Sequence, residues 1–107
     1  ILEVRRGLPK NIGDKRKRIG VRIPDHGVAN AIIDAVDSPL IVTSAIDPET
    51  GLMAVDPWTV ETTFGHGLAA IIDSGDVPGG ESSIIDLTVD PPEVHRQGLG
   101  PTDEFEA

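Results

Sequence analysis

The sequence predicts an α/β fold in which a twisted, mixed open sheet is flanked by helices. Short apolar runs of strand length alternate with two segments of helical periodicity, and the last apolar runs follow one another without a helix between them. The chain has 107 residues, which is enough for one modest domain. With 12 Gly, 9 Pro, one Trp, two Phe and no Tyr, the core is expected to be aliphatic.

The first predicted elements are a basic linker and a strand. The fragment Ile1-Leu2 is predicted to end a strand, and residues 5–18 (RRGLPKNIGDKRKR) are predicted to form the linker. Residues 19–23 (IGVRI) place Ile19, Val21 and Ile23 on one face and stop at Pro24, which predicts a strand.

A helix is predicted from about Gly27 to Val36. Val28, Ile32 and Ala35 recur at helical spacing, and Asp25 is predicted to be the N-cap because its carboxylate can accept amide protons of the first turn. The helix is expected to end before Pro39, since the residue preceding a proline is disfavoured in the helical region.

The remaining elements follow from apolar runs and one strong helix start. Asp56-Pro57 supplies an N-cap and a proline at the first helical position, so a helix is predicted from there to about Phe64. The first later run, LIVTS, lacks alternation, which predicts burial on both faces of the sheet. Strands are predicted at residues 40–44, 68–74, 82–87 and 94–96.

Charge is distributed unevenly along the chain. The 18 acidic and 9 basic residues give a formal charge of −9 and a pI near 4.5, which argues against a general nucleic-acid coat or a membrane-surface domain. Residues 1–22 hold eight of the nine basic residues and two acids, whereas residues 23–107 hold one Arg and sixteen acids. The total therefore combines a basic segment with a strongly acidic one.

Several function classes are excluded by composition. The absence of Cys excludes disulfides, thiolate chemistry and cysteine-containing zinc sites. The three histidines, His26, His66 and His95, share no ligand spacing, so no protein-bound metal is expected. No apolar run approaches the roughly 20 residues that span a bilayer, and no signal core follows the amino terminus. A soluble cytoplasmic protein is therefore expected.

Four polar features at predicted strand ends are suited to bind an anion: Arg22, Thr43-Ser44, residues 79–83 (GGESS) and residues 96–98 (RQG). Ligands bind beyond the carboxyl ends of strands in open α/β sheets, arginine offers a bidentate fork, and Gly/Ser turns expose amide protons. Three of the four features also have an ordinary explanation. These are an ion pair for Arg22, a hairpin turn at Gly79-Gly80, and plain strand-end serines at Ser44 and Ser82.

A second candidate site is the basic run Lys15, Arg16, Lys17 and Arg18. Such a run can contact RNA phosphates. A solvated loop is the alternative interpretation of four consecutive charges.

Four sequence blocks, taken in order, resemble a known family. They are KRKRIGVRIPDH, PLIVTSA, IIDSGDVPGGESSIIDLT and VHRQG. Together they are similar to the carboxyl-terminal half of the YrdC/YciO-like superfamily, and to its YciO branch in particular. The resemblance implies that residues 1–107 are the carboxyl-terminal part of a single YrdC-like domain, an incomplete twisted sheet with helices over a concave basic cleft.

The resemblance also implies a function. The family's threonylcarbamoyl-AMP synthases carboxylate the amine of L-threonine with bicarbonate, and the carbamate attacks the α-phosphate of ATP and releases pyrophosphate. It implies ATP, with Mg²⁺, as the nucleotide, and a place in the tRNA threonylcarbamoyladenosine pathway. The nucleotide contacts it implies are Arg22, Ser44, Ser82 and Arg96, and it assigns no catalytic residue.

Two departures from the family pattern qualify this expectation. Ile46 stands where the synthases have the asparagine of a Ser-x-Asn motif, and an apolar side chain there makes no hydrogen bond. The family's Lys-x-Arg motif and threonine contacts belong to the amino-terminal half, which is not in this sequence, so a truncated chain with little or no synthase turnover is expected. One alternative is a double-stranded RNA-binding or ribosome-associated module without catalysis, using the cleft and residues 10–18. Another is a chain that is inert alone or that forms a homodimer paired through an exposed sheet edge.

Overall fold

The computed structural model describes residues 1–5, 9, 11–13, 15–77 and 79–106. These residues contain two α-helices and four short strands, and the mixed α/β class with an open arrangement is confirmed. The helices are α1 (Gly27–Val36) and α2 (Pro57–Phe64), and the strands are β1 (Leu2–Glu3), β2 (Arg18–Ile19), β3 (Ile84–Asp86) and β4 (Glu93–Arg96). Residues 6–8, 10 and 14 of the predicted linker, together with Pro78 and Ala107, lie outside the described residues.

The chain divides into two compact units. Unit 1 comprises Ile1–Ile23 and Glu81–Ala107, and unit 2 comprises Pro24–Gly80.

Unit 1 contains two antiparallel pairs of strands. In the first pair, Leu2 of β1 is opposite Ile19 of β2. In the second, β3 and β4 form a hairpin in which Ile84 is opposite Arg96 and Ile85 is opposite Val94. This register leaves His95 as one extra residue on β4, which is a β-bulge.

Hydrogen bonds of Ile1 connect the two pairs of strands. The backbone nitrogen of Ile1 donates to the carbonyl of Ile85 at 2.6 Å, and the amide of Leu87 donates to the carbonyl of Ile1 at 3.0 Å. The segment before β1 is therefore held against β3.

Unit 2 contains both helices. The bounds of α1 and α2 agree with the sequence prediction because both depend on local signals, the periodicity of apolar residues and the caps. Asp56 caps α2 as predicted, accepting from the amide of Thr59 at 2.8 Å. A single bridge between Ile46 and Met53 closes the turn between the helices.

The N-cap predicted for α1 is wrong. The cap is His26, not Asp25: His26 has an extended backbone, and its Nδ1 accepts from the amide of Ala29 at 3.3 Å. Because the helix starts at Gly27, His26 is the residue whose side chain faces the unpaired amides of the first turn.

Several predicted strands are shorter than expected or are not formed. The pairing of residues 19–23 is limited to Arg18–Ile19 in β2, and that of residues 82–87 to Ile84–Asp86 in β3. The apolar runs 40–44 and 68–74 form no strand with any other described residue. A strand needs a hydrogen-bonded neighbour, and the apolar pattern alone does not supply one.

Burial in the described residues is slight. Ala54 is the buried hydrophobic residue among them, and Asp86 and Thr102 are the buried polar ones. Ile23 and Ile41 are each about nine-tenths exposed, at 90% and 89%. The prediction that residues 40–44 are buried on both faces is therefore wrong. No helix within the described part of the chain is long and apolar enough to cross a membrane.

Candidate functional site

The hairpin of unit 1 brings together two of the four residues predicted to contact a nucleotide. The Nε of Arg96 donates a 2.8 Å hydrogen bond to the carbonyl of Ser82, and its Nη1 lies 3.5 Å from Oε1 of Glu81. The pairing of Arg96 with Ile84 in the β3–β4 ladder places the guanidinium beside the start of β3. We call Glu81, Ser82 and Arg96 the arginine corner.

The backbone around the arginine corner is held in place by residues 98–100, which follow β4 and are called the return loop. The amide of Leu99 donates to the carbonyl of Glu81 at 2.9 Å. The hydroxyl of Ser83 accepts from the amide of Gly98 at 2.9 Å and donates to the carbonyl of Gly100 at 2.6 Å. The sequence predicts Ser83 only as part of a glycine-serine turn, but its hydroxyl links residues 79–83 to the segment that follows Arg96.

Glycine is required at position 98 by close approach. A Cβ built there would lie within 2.6 Å of the backbone nitrogen of Ser83 and would also collide with the carbonyl of Glu81. The RQG block therefore contributes its arginine to the corner and its glycine to the packing beneath it.

The other two predicted contacts are exposed. Arg22 belongs to unit 1 and makes no ion pair or hydrogen bond with another described residue, so the ion pair considered as its alternative explanation is not formed within the described part of the chain. Ser44 belongs to unit 2, where its carbonyl accepts from the amide of Ile46 at 3.0 Å. The nucleotide-binding role of all four residues stays a prediction.

A buried carboxylate in unit 1 was not anticipated from the sequence. Asp86 is 3% exposed, and its Oδ1 accepts from the amide of Thr88 at 2.8 Å and from the hydroxyl of Thr88 at 2.6 Å. Its Oδ2 lies 3.4 Å from Nε2 of His95 and 3.8 Å from Nη1 of Arg18. The Asp-x-Thr spacing is the one local signal for such a turn.

The environment of Asp86 favours its ionised form. The side-chain and backbone hydrogen bonds from Thr88 lower the pKa of Asp86 below 3.8, and the charges of His95 and Arg18 lower it further, whereas burial acts in the opposite direction. Asp86 is thus a fixed negative charge that holds Arg18 and His95.

Three of the four residues of the basic run line a groove in unit 1, and the fourth, Lys15, is exposed outside it. Arg16, Lys17 and Arg18 form its basic wall, and Glu3, Val4 and Thr88 complete a space of about 320 Å³. Lys17 has a left-handed backbone (φ 57), and its carbonyl accepts from the amide of Val4 at 2.7 Å. We call this space the basic groove. Its guanidinium and ammonium groups are suited to phosphate oxygens.

The fold and the arginine corner define a mixed α/β protein whose strand-end arginine and serine groups are chemically suited to an anion. Residues 1–98 match the model of the Sua5/YciO/YrdC family, which is described as "Telomere recombination". The chain belongs to this family, and the resemblance in the sequence analysis is confirmed. The family is linked to threonylcarbamoyl modification of tRNA.

Relatives from three bacteria extend this assignment. The chain is 31% identical over 106 residues to YciO of Escherichia coli K12 and to YciO of Shigella flexneri, and 31% identical over 107 residues to a protein of Haemophilus influenzae Rd. Each comparison covers 98% of this chain and 52% of the relative, so the chain spans about half the length of these curated relatives. No solved structure matches it.

Proposed function

We propose that this chain contributes the ATP-binding portion of a threonylcarbamoyl-AMP synthase-like protein that acts in tRNA modification. The single observation that supports it most is the hydrogen bond from Arg96 to Ser82, because it joins two family blocks at one point of unit 1.

The arginine corner suits a nucleotide phosphate for a geometric reason. The Ser82 carbonyl engages Nε and so fixes the plane of the guanidinium, while the terminal nitrogens remain able to donate to phosphate oxygens. A bound phosphate would displace the contact between Arg96 and Glu81. Glu81 and Arg96 have side-chain exposures of 62% and 40%, and exposed ion pairs contribute little.

The other predicted contacts complete the proposal. Within unit 1, Arg22 would add a second arginine to the phosphates, and the hydroxyl of Ser82 would donate to a phosphate or ribose oxygen. In the synthase reaction, the carbamate formed from L-threonine and bicarbonate attacks the α-phosphate, and the bond to pyrophosphate breaks. Arginines at the phosphates would stabilise the negative charge that develops in this step.

Mg²⁺ would arrive bound to ATP, since this ion is usually held by substrate phosphates together with a few carboxylates and waters. The described residues contain no group of three His, Asp or Glu side chains arranged to hold a metal, and we assign no magnesium ligand to them. Ile46 cannot supply the hydrogen bond of the synthase asparagine. We therefore propose that this chain binds MgATP and that catalytic turnover requires the whole family domain.

The test is calorimetric titration of the chain with MgATP, comparing the wild type with Arg96→Lys and Arg5→Lys. Lysine keeps the charge at position 96 but loses the fork, so we expect affinity to fall about tenfold, the equivalent of one charge-assisted hydrogen bond. Arg5 is an exposed arginine of the same unit outside the corner and is the matched control. Equal affinities for all three proteins, or no MgATP binding by the wild type, would contradict the proposal.

The basic groove favours a second candidate function, the binding of double-stranded RNA. Lys17 would contact a backbone phosphate, with Arg16 and Arg18 lining the same groove, and such binding weakens with salt because counterions are released. Replacing Lys17 with Gln should reduce the slope of log affinity against log salt by about one, while Arg5→Gln should leave it unchanged. A slope that is flat in the wild type would exclude this function.

A further inference from the structure

The arginine corner contains a negative charge as well as a positive one. Oε1 of Glu81 lies 3.5 Å from Nη1 of Arg96, whereas Nε of the same guanidinium donates to the carbonyl of Ser82. Nη1 is a terminal nitrogen, and the terminal nitrogens are the donors that a phosphate oxygen would use. A carboxylate of the protein therefore lies where part of an anionic ligand would bind.

The backbone of Glu81 is held on both sides. Gly80, the residue before it, has a φ of 138°, a conformation that glycine adopts readily and other residues do not. The carbonyl of Glu81 accepts from the amide of Leu99 at 2.9 Å. The side chain, by contrast, is 62% exposed and can rotate. An incoming ligand can therefore turn the carboxylate aside but cannot remove its charge from the neighbourhood of Arg96.

Repulsion between Glu81 and a ligand grows with the negative charge of the ligand. The Coulomb energy is proportional to the product of the two charges, and it is stronger near a protein surface than in bulk water. Because Mg²⁺ is divalent and binds substrate phosphates, its complex with ATP carries much less negative charge than ATP alone. Glu81 therefore opposes the binding of metal-free ATP more than the binding of MgATP.

The side chain of Glu81 has little part in holding the hairpin together. The ladder that pairs Ile84 with Arg96 and Ile85 with Val94 joins β3 to β4 through backbone hydrogen bonds. The contact of Glu81 with Arg96 is an exposed ion pair, a class that contributes little to stability. The main effect of this carboxylate is therefore expected in ligand binding rather than in folding.

We propose that Glu81 is a specificity-determining residue of the arginine corner, which selects magnesium-complexed nucleotide over metal-free nucleotide by repelling excess negative charge. This inference rests on the proposed binding of ATP at the corner and adds the form of the ligand that the corner accepts. The selection needs no contact between Glu81 and the metal ion, because it depends on the total charge of the ligand.

The experiment is calorimetric titration with MgATP, and separately with ATP in the presence of EDTA, for the wild type and Glu81→Gln. Glutamine keeps the size of the side chain and removes its charge. Affinity for MgATP should rise about threefold and affinity for metal-free ATP about tenfold, so the preference for MgATP should narrow. Added salt should reduce both gains, because it screens the repulsion. Thermal unfolding of the variant should match that of the wild type.

Glu93→Gln is the matched control. Glu93 lies in the same hairpin and has a similar side-chain exposure of 67%, but its carboxylate lies 3.6 Å from Nε2 of His95. The control removes the same charge from the chain and should change the preference for MgATP little.

Three results would overturn the inference while leaving ATP binding intact. They are equal affinities of the wild type and Glu81→Gln, an equal gain for both forms of ATP, and the same change of preference in Glu93→Gln. Weaker MgATP binding by Glu81→Gln would also overturn it, since Glu81 would then attract the ligand. Failure of the wild type and of Glu81→Gln to bind either form of ATP would instead contradict the proposed function itself.

Discussion

The Nε2 of His95 lies 3.4 Å from Oδ2 of Asp86, a carboxylate that is 3% exposed. His95 is the extra residue of the β-bulge in β4, and the same Oδ2 lies 3.8 Å from Nη1 of Arg18 in β2. One carboxylate thus links the β3–β4 hairpin to β2. Removing the Asp86 carboxylate would take from Arg18 and His95 the counter-charge that they share.

The first prediction concerns the pH dependence of this link. Because the pKa of Asp86 is lowered in the folded chain, mainly by the hydrogen bonds from Thr88, the unfolded chain binds the proton at higher pH than the folded chain. The stabilisation by ionised Asp86 is therefore complete above its ordinary pKa of 3.8 and is lost as the pH falls through the folded value. Urea unfolding of the wild type and of Asp86→Asn should differ most near neutral pH, and the difference should narrow in acid. A constant difference at every pH would contradict this assignment.

The second prediction tests the cap of α1. His26 accepts one amide proton through Nδ1, at the long distance of 3.3 Å. A carboxylate caps better and also interacts favourably with the positive end of the helix dipole, so His26→Asp should stabilise the chain by about 0.5–1 kcal/mol in thermal unfolding. Asp25→Ala should have little effect, because Asp25 is not the cap. A larger loss for Asp25→Ala than for His26→Ala would restore the N-cap that the sequence predicted.

The helices were predictable from the sequence because their signals are local. The proline after Asp56 and the spacing of Val28 and Ile32 define α2 and α1 without reference to the rest of the chain. Strands differ because each needs a partner that is distant in sequence. The runs 40–44 and 68–74 carry the correct pattern, but they pair with no other described residue.

The same distinction between local signals and long-range pairing applies to the candidate site. The sequence identified Ser82 and Arg96 as polar residues at strand ends. They are only 14 positions apart, and the hairpin between them brings them into contact. The bulge at His95 and the long-range contact of Arg18 with Asp86 were not predictable, because register and bulges are set by pairing rather than by composition.

The third prediction concerns the end of α1. Asp37 lies in the left-handed region (φ 51, ψ 34), and its amide donates to the carbonyl of Ile33 at 3.1 Å. Glycine adopts this conformation without the steric cost of a Cβ, so Asp37→Gly should raise the free energy of unfolding by up to about 1 kcal/mol. Ser38→Gly is the control. It adds the same backbone freedom at a position without a positive φ, and it should be neutral or destabilising.

The fourth prediction links packing to the proposed site. Gly98→Ala forces a Cβ against the backbone of Glu81 and Ser83, so the return loop must move, and we expect a loss of about 1–3 kcal/mol in the free energy of unfolding. Because the arginine corner rests on this contact, MgATP affinity should fall in the same variant even under conditions where it remains folded. Gly20→Ala, in the same unit, meets nothing within 4 Å and should change both quantities little. If Gly98→Ala lowered stability but bound MgATP as the wild type does, the corner would not be the nucleotide contact.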